Sequence, residues 1–506
     1  MRYLLIGAVI GISVLIEACG PNNDQDGGGP VDGDGDVDAD SDVDADSDAD
    51  GDYDGDADGV VTDTRCRDFS SRARILADLP SGCMPRDIDV YNNDAYVLCD
   101  YEARANHDEI LRCPIQEDRS ECTRVIDLGE GQFNLSAGGE TLDNVARHPT
   151  SMTIFNQGAV DGAMVLVNYF TEDEISLERE DVTYLYRDQM ATYNMAGERL
   201  SSHPVVTPAI GSGSSPIPIF FRQPMSALFL DGTTFVVPFR NLSGEEYERG
   251  MLRIYAMETI GDTEVLDGNF DPDGITDLTT LNFFTGGVNV TSLGRAGDRL
   301  VVLNSSSAES AELAGVAEAL RSPSLAIFDA ETPENISFVE TIEITSSGQL
   351  LAQDQMPISQ DGSFVLAGLQ TYSSDMNPEV YQVFLNSGIV ESFEAPVVGE
   401  NIHFTSIVLS EIRADGSRII ASMTDGYVYA FWADTREQAG ASVFVGENPN
   451  LSDLTSDGRS FIVGAQNTCR DGEVSGSPAL IQVDVAGFVE AEEEPDAGPD
   501  ASPDAG

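Results

Sequence analysis

The sequence predicts an all-β protein whose body, residues 64–489, is a β-propeller of seven blades with four antiparallel strands each. Two observations support this architecture. A unit of two apolar strands joined by a tight Asp-Gly-like turn recurs seven times along the body, and further short strands follow each hairpin. Such a repeat predicts stacked, similar units. The pattern leaves open a two-sheet β architecture and a ring of six or eight blades.

The chain begins with a short segment typical of export signals. Arg2 precedes an apolar run from Leu4 to Ile16. A run of roughly 13 residues is too short to span a bilayer but suits the apolar core of a signal peptide. We therefore expect residues 1–18 to be a signal peptide.

Cys19 follows this segment directly, in the sequence Leu15-Ile16-Glu17-Ala18-Cys19-Gly20. This sequence resembles the lipobox of bacterial lipoproteins, although Glu17 departs from the usual small or neutral residue. The resemblance implies that Cys19 is lipidated and anchors the protein to a membrane through acyl chains. Gly20 favours the outer membrane, with the body facing the periplasm or the cell surface. The alternative is a secretory signal whose cysteine enters a disulfide.

Residues 19–63 and 490–506 are predicted to be disordered and acidic. Aspartate alternates with small residues from Asp32 to Asp58, and the C-terminal tail repeats Pro, Asp and Ala. Such segments bury too little apolar surface to fold. Asp54, Asp56 and Asp58 resemble the first half of an EF-hand or thrombospondin type 3 calcium loop. A solvated polyacid that binds divalent ions diffusely is the alternative.

The predicted hairpins of the body are placed by their turns. The clearest copies turn at Asp231-Gly232 and Asp457-Gly458, and the others at Asn93-Asp94, Asp161-Gly162, Gly297-Asp298, Asp361-Gly362 and Asp415-Gly416. The segment Arg74–Leu79 resembles Arg124–Leu128, the expected outer strand of the first unit. Because the last unit lacks an outer strand of its own, we expect the N-terminal strand to pair there and close the ring.

This alternating pattern resembles lactonase-like and YVTN-type seven-bladed propellers. The resemblance covers most of the body but rests on turns and apolar strands, without a diagnostic residue. It implies that a hydrolase of this kind would gather carboxylates, Asn or His at the mouth of the channel. The four histidines, His107, His148, His203 and His403, are scattered, and the sequence identifies no catalytic set.

A calcium site is predicted at residues 269–277. Asn269, Asp271, Asp273 and Asp277 fit the pattern Asn-x-Asp-x-Asp-Gly-x-x-Asp, which resembles the calcium loops of integrin-type propellers. Their side-chain oxygens and the Ile275 carbonyl would coordinate Ca²⁺. The alternative is an acidic surface turn.

The cysteines suit an exported protein. Without Cys19, six remain, and an even set in an exported chain favours disulfides. Cys113 and Cys122 flank a polar hairpin, so we expect them to pair. Cys66, Cys83, Cys99 and Cys469 allow three pairings; a Cys66–Cys469 bond would hold the ring shut.

Charge limits the function classes. The chain has 88 acidic residues against 26 basic ones, all arginine, for a net charge of −62. This field disfavours nucleic acid as a partner. We expect a non-catalytic propeller, tethered to a membrane through its lipid, that binds a protein, glycan or small ligand. An exported propeller hydrolase or lactonase is the alternative.

Overall fold

The computed structural model describes residues 64–488 with internal gaps. The gaps are 67–68, 102–107, 116–119, 129–134, 138–139, 143–145, 158–159, 171–188, 205–224, 232–233, 241, 244–245, 248, 258–274, 278–282, 307–321, 333–334, 346–348, 351–355, 371–377, 397–401, 413–415 and 471. Cys19, Asp54, Asp56, Asp58, Asn269, Asp271 and Asp273 therefore lie outside the described residues. Within the described part, no helix is long and apolar enough to cross a membrane.

Strands form nearly all of the regular structure in the described residues. In the first half they are β1 (Ala73–Asp78), β2 (Met84–Tyr91), β3 (Asp94–Asp100), β4 (Glu109–Pro114), β5 (Ser120–Glu121), β6 (Thr123–Asp127), β7 (Leu135–Ala137), β8 (Glu140–Leu142), β9 (Ala146–Gln157), β10 (Val160–Phe170), β11 (Gln189–Asn194), β12 (Arg199–Pro204), β13 (Leu228–Phe229), β14 (Thr234–Phe239), β15 (Leu242–Ser243), β16 (Glu246–Tyr247), β17 (Arg249–Met257) and β18 (Ile275–Asp277).

The second half continues in the same way. Its strands are β19 (Phe283–Val288), β20 (Val290–Ala296), β21 (Arg299–Asn304), β22 (Ser324–Asp329), β23 (Ser337–Glu343), β24 (Gln349–Leu350), β25 (Phe364–Gln370), β26 (Glu379–Phe384), β27 (Ile389–Glu394), β28 (Phe404–Ile412), β29 (Gly416–Met423), β30 (Tyr427–Trp432), β31 (Val443–Phe444), β32 (Gly446–Leu454), β33 (Ser460–Arg470), β34 (Glu473–Ser475) and β35 (Ala479–Asp484). One helical turn, α1 (Phe69–Arg72), and 3₁₀ turns at Thr64–Cys66 and Val485–Gly487 flank them.

The strands form antiparallel sheets that follow one another along the chain, which confirms the all-β prediction. We number them sheet 1 (β2-β3-β4-β6), sheet 2 (β9-β10-β11-β12), sheet 3 (β13-β14-β17-β18), sheet 4 (β20-β21-β22-β23), sheet 5 (β24-β25-β26-β27), sheet 6 (β28-β29-β30-β31) and sheet 7 (β32-β33-β35-β1). Sheets 3 and 7 carry the additional strands β19, β34 and β5, and two small hairpins, β7-β8 and β15-β16, complete the set.

The middle strands are covered on both faces. Every residue of β3 and β14 is buried, whereas the last strands β23 and β27 are mostly exposed. Alternation in a strand sends side chains to opposite faces, so burial of consecutive residues requires a neighbour on each side. Successive sheets supply those neighbours by packing face to face.

Hydrophobic clusters fill the spaces between sheets. Tyr96 and Leu98 of sheet 1 pack with Val165 and Tyr193 of sheet 2. Comparable clusters join sheets 3 and 4, 4 and 5, 5 and 6, and 6 and 7. Another cluster joins sheet 7 to sheet 1 through strand β1, and between sheets 2 and 3 the rings of Phe155 and Phe229 lie 5.7 Å apart.

The predicted hairpin turns are present in most of the sheets. Asn93 has φ 64°, Gly297 φ 62°, Gly362 φ 67° and Gly458 φ 67°, as tight Asn- or Gly-containing turns require. Sheet 2 is an exception that corrects the sequence analysis. Asp161 and Gly162 pair with Asn156 and Phe155 within the hairpin, so they do not form its turn.

The physical reason lies in how Gly162 packs. A Cβ at this position would collide with the Tyr193 carbonyl oxygen and with the Phe155 ring. Gly162 thus allows close approach between neighbouring strands rather than a change of chain direction. An Asp-Gly pair looks the same in a turn and in a strand. The predicted turn at Asp161-Gly162 was therefore wrong, because both residues lie within strand β10.

Strand β1 completes sheet 7. It pairs antiparallel with β35, from Ala73 opposite Val483 to Asp78 opposite Ala479. Side chains reinforce the pairing: Arg74 donates through Nη2 to Gln482 Oε1 at 2.8 Å, and Arg470 forms an ion pair with Asp78. On its other edge, β1 pairs in parallel with β5, which follows sheet 1's strand β4. The start of the body is therefore built into its last sheet.

Three disulfides join the six cysteines of the body: Cys66–Cys469, Cys83–Cys99 and Cys113–Cys122. Cys66 precedes β1 and Cys469 lies in β33, so this bond ties the two ends of the body across a sequence separation of 403 residues. The sequence allowed three pairings among Cys66, Cys83, Cys99 and Cys469. The structure has the one that joins Cys66 to Cys469 and Cys83 to Cys99.

We expect the long-range disulfide to stabilise the fold more than the local one. In the chain-entropy model, a loop of this length is worth roughly 6 kcal/mol, against roughly 3 kcal/mol for a ten-residue loop. The double variant Cys66→Ser/Cys469→Ser should therefore lose about twice as much free energy of unfolding as Cys113→Ser/Cys122→Ser. Urea unfolding of the full chain measures both. Equal losses would contradict the expected dependence on loop length.

Candidate functional site

A cavity of about 390 Å³ lies between the first strands of six of the sheets and the segment that precedes β25 in sheet 5. Every sheet contributes to its lining. One residue from each is, in order, Asp89 (β2), Met152 (β9), Leu228 (β13), Leu293 (β20), Met356 (before β25), Leu409 (β28) and Asp453 (β32). Its volume lies in the range of small-ligand sites.

Carboxylates position the first strands around this cavity. The Met152 amide donates to Asp87 Oδ2 at 2.6 Å, and the Ile154 amide donates to Asp89 Oδ2 at 2.8 Å, so sheet 1 holds sheet 2 by two bonds. The Val90 amide donates to Asp453 Oδ2 at 2.8 Å, which joins sheet 7 to sheet 1. Alternation along β2 places Asp87 and Asp89 on the same face.

Other polar contacts join the remaining neighbours. Thr153 Oγ1 donates to the Ala227 carbonyl (3.1 Å), Arg295 Nη1 to the Leu230 carbonyl (2.7 Å), the Met356 amide to the Leu293 carbonyl (3.4 Å), the Gln360 amide to Glu411 Oε2 (2.6 Å) and Ser452 Oγ to Ser406 Oγ (2.6 Å). With the aspartate bonds, each sheet is thus bonded to the next, and sheet 7 is bonded to sheet 1.

Between sheets 4 and 5 the approach is especially close. A Cβ on Gly294 would lie 2.6 Å from Ile358 Cδ1. A side chain at this position would require the Ile358 side chain to shift, so glycine allows the close approach seen here.

Asp89 and Asp453 are the unusual titratable groups of the cavity. Burial raises the pKa of Asp89 to about 6, while hydrogen bonds from the Ile154 and Val90 amides act to lower it. Burial, followed by the neighbouring charges of Asp89 and Asp87, raises the pKa of Asp453 to about 7, while hydrogen bonds from the Val90 and Leu454 amides act to lower it. Ionisation of both carboxylates is therefore less favourable here than it would be in water.

Both side chains are enclosed by protein but retain some accessible surface, which faces the cavity they line. Among the described residues, no arginine forms an ion pair with either carboxylate. Their hydrogen-bond partners are backbone amides alone. The cavity thus contains negative charge that backbone dipoles compensate only in part.

The remaining lining is mostly apolar and comes from all seven sheets, for example Leu228 (sheet 3), Leu409 (sheet 6) and Leu454 (sheet 7). Arg295 also borders the cavity, but its side chain is exposed and its guanidinium donates to the carbonyls of Leu230 and Gly297. The cavity therefore combines apolar side chains with an acidic wall, formed by Asp87, Asp89 and Asp453.

The residues that the sequence analysis singled out lie elsewhere. Ile275 and Asp277 belong to β18, which pairs with β17, and the rest of that predicted calcium loop is outside the described residues. Within the described part, no group of three acidic, histidine or cysteine side chains is arranged to hold a metal ion. Calcium at Asn269–Asp277 and at Asp54–Asp58 stays a prediction.

Sequence reasoning missed Asp87, Asp89 and Asp453. The only signal in the sequence was their position, because each lies on the apolar first strand of a predicted hairpin. A polar residue on such a strand is solvated if its side chain faces outward and buried if it faces inward. With 88 acidic residues in the chain, such positions did not stand out.

Comparisons with known proteins do not assign the chain to a family, since no family model matches it and no curated protein matches its sequence.

We expect Asp453→Asn to stabilise the protein at pH 8 and to do so much less at pH 5. The folded-state pKa lies above the ordinary value of 3.8. The stability this group contributes is thus fully present below about pH 4 and is lost as pH rises through about 7. Asn keeps an acceptor for the Val90 amide without the charge. Because each pKa unit corresponds to about 1.4 kcal/mol, the gain at pH 8 should be on the order of 1–3 kcal/mol.

Asp457→Asn is the matched control for thermal unfolding at both pH values. Hydrogen bonds from Thr455 and the Arg459 amide lower the pKa of Asp457, so removing its charge should slightly destabilise the protein. A loss of stability in Asp453→Asn that is the same at pH 5 and pH 8 would contradict the idea that charge burial dominates at this position.

Proposed function

We propose that this protein is an exported, lipid-anchored β-propeller of seven blades whose central cavity binds a small ligand. The seven sheets are its blades, the first strand of each lines the central channel, and β1 closes the ring. The observation that carries the proposal is the cavity to which all seven sheets contribute, six through their first strand and sheet 5 through the segment before β25. A site at the convergence of every blade is where propellers present their binding surfaces.

The ring arrangement is supported by the succession of contacts. Each four-stranded sheet packs on the next through apolar side chains and polar bonds, and the last sheet returns to the first. A two-sheet sandwich would instead gather alternate strands into two layers around one core. A ring of six blades would leave one of the seven sheets outside the ring. A ring of eight blades would need one more sheet.

Export is supported by the cysteine chemistry. Disulfides persist in oxidising compartments, and all six cysteines of the body are paired. Cys19, the cysteine left out of these pairs, stands at the lipobox-like position. Its lipid would hold the body on the outer membrane at the end of the acidic linker.

A second function, hydrolysis of a small ester or lactone, is favoured by one observation. Asp89 and Asp453 have pKa values close to neutral pH, as general acids and bases require. The described lining contains Ser406 and Ser452 but no histidine that could activate their hydroxyls. Binding without conversion is therefore the function that we propose first.

Lipid anchoring predicts a clear phenotype for Cys19→Ser. In a bacterial host supplied with radiolabelled palmitate, the native chain should incorporate label and sediment with membranes. The variant should lose both properties while its body remains folded, as judged by intact disulfides. Membrane retention of an unlabelled Cys19→Ser chain would point to an uncleaved signal segment as the anchor.

Ligand binding predicts that filling the cavity abolishes it. A panel of small amines, acids, alcohols, sugars and δ-valerolactone can be screened against the full chain by saturation-transfer NMR. Leu409→Trp should remove the signals of the compounds that bind, because the indole occupies the cavity volume. Leu385→Met, a conservative change at a buried residue that does not line the cavity, should preserve them.

Two results would decide against the proposal. If no compound binds the native chain, or if Leu409→Trp leaves all signals intact while its melting temperature is unchanged, the cavity is not the binding site. Hydrolysis of δ-valerolactone that Asp89→Asn and Asp453→Asn both eliminate would assign the second function instead.

A further inference from the structure

We infer that the ligand of the central cavity is a small amphipathic organic cation, with an ammonium group at the acidic wall and an apolar body against the apolar side chains of the lining. This inference rests on the proposed function and specifies its ligand class. The juxtaposition that carries it is a half-open cavity of about 390 Å³ whose lining combines three carboxylates with partly exposed apolar side chains.

The acidic wall has unused capacity for a cation. Asp89 accepts from the Ile154 amide, and Asp453 accepts from the Val90 and Leu454 amides. The charges remain without an ionic partner among the described residues. Two close carboxylates in an enclosed space are unfavourable when both are ionised, and an ammonium group placed between them removes that repulsion.

The other charged residues of the lining do not change where a cation would bind. From β2 come Asp87 and Asp89, from β32 comes Asp453 and from β20 comes Arg295; the described lining residues of the other first strands are uncharged. Asp87 is bound to the Met152 amide. Arg295 is exposed and bound to carbonyls, so its charge lies away from the acidic wall.

The apolar part of the lining accounts for the other half of the ligand. Leu228, Ile358, Leu409 and Leu454 line the cavity and are partly exposed, so they can contact an alkyl body. Burying such a chain would contribute roughly 0.8 kcal/mol per CH₂.

A divalent metal ion fits this cavity less well. Calcium requires six to eight oxygen ligands at about 2.4 Å. Oxygen atoms of Asp87, Asp89 and Asp453 already accept backbone amide protons, and the described residues contain no metal-holding group of three. The cavity is also far larger than one ion, and half of its wall has no ligand atoms to offer.

The charge of the whole chain favours the same ligand class. A net charge of −62 produces a negative potential that concentrates cations near the protein and repels anions. The attraction weakens with salt because exposed charges are screened. Selectivity inside the cavity then depends on the short-range contacts with Asp89 and Asp453.

The test compares three probes that share one apolar body: hexylammonium, hexanol and hexanoate. Calorimetric titration of the full chain at pH 7.5 and constant ionic strength should give binding of hexylammonium at least tenfold tighter than that of hexanol, with hexanoate weakest. Because a cation favours ionisation of both carboxylates, its binding should release protons. Repeating the titration in two buffers with different ionisation enthalpies measures that release.

Variants locate the interaction. Asp89→Asn and Asp453→Asn keep acceptors for the neighbouring amides, so both should fold. Each should weaken hexylammonium binding by tenfold or more, abolish the proton release and leave hexanol binding unchanged. Asp457→Asn makes the same chemical change four residues from Asp453 but outside the cavity, and should leave all three affinities unchanged.

Failure of this inference is distinguishable from failure of the proposed function. Equal affinity for hexylammonium and hexanol, lost together in Leu409→Trp, would overturn the cation while the cavity remains the binding site. Hexylammonium binding that survives in both Asn variants, or falls equally in Asp457→Asn, would reduce the effect to surface charge and overturn the inference. Absence of binding by all three probes would overturn it as well.

Discussion

The pairing of β1 with β35 is the interaction on which the rest of the body depends. Without β1, sheet 7 would end at β35 with a row of unpaired backbone groups, and the apolar cluster shared by sheets 7 and 1 would lose Leu76, Ala77 and Leu79. Sheet 7 supplies Asp453 to the cavity and holds sheet 1 through the Val90 amide. The cavity therefore exists only while this strand remains in place, and the Cys66–Cys469 bond fixes its approach.

The aspartates of the first strands serve two purposes that conflict energetically. Each bridges neighbouring sheets by accepting a backbone amide proton, which a serine or asparagine could also do. Aspartate adds charge in an enclosed space, and the raised pKa values of Asp89 and Asp453 record how unfavourable that charge is. Structural bridging alone does not require it, so the presence of carboxylates at these positions is better accounted for by a ligand that needs them.

Much of the fold was readable from the sequence, and the site was not. Turns such as Gly297-Asp298 and Asp457-Gly458 are local signals, because positive φ and the flanking apolar strands are encoded within a few residues. The resemblance of Arg74–Leu79 to Arg124–Leu128 also pointed to a strand that pairs across the length of the chain. Asp89 and Asp453, by contrast, are 364 positions apart and meet only because seven sheets bring their first strands together. No local pattern encodes that convergence, and Gly162 shows that even a local pattern can serve a different packing role.

The construction of sheet 7 also has a consequence for biogenesis. Synthesis proceeds from the N-terminus, so β1 is made first and its partner β35 almost last. Through nearly the whole of translation, β1 is an unsatisfied edge that can pair with the wrong strand or with another chain. The body can reach its final state only after residue 484 has emerged, which makes the β1–β35 pairing a late, long-range step. A chain folded this way is suited to a route in which it is kept unfolded until complete.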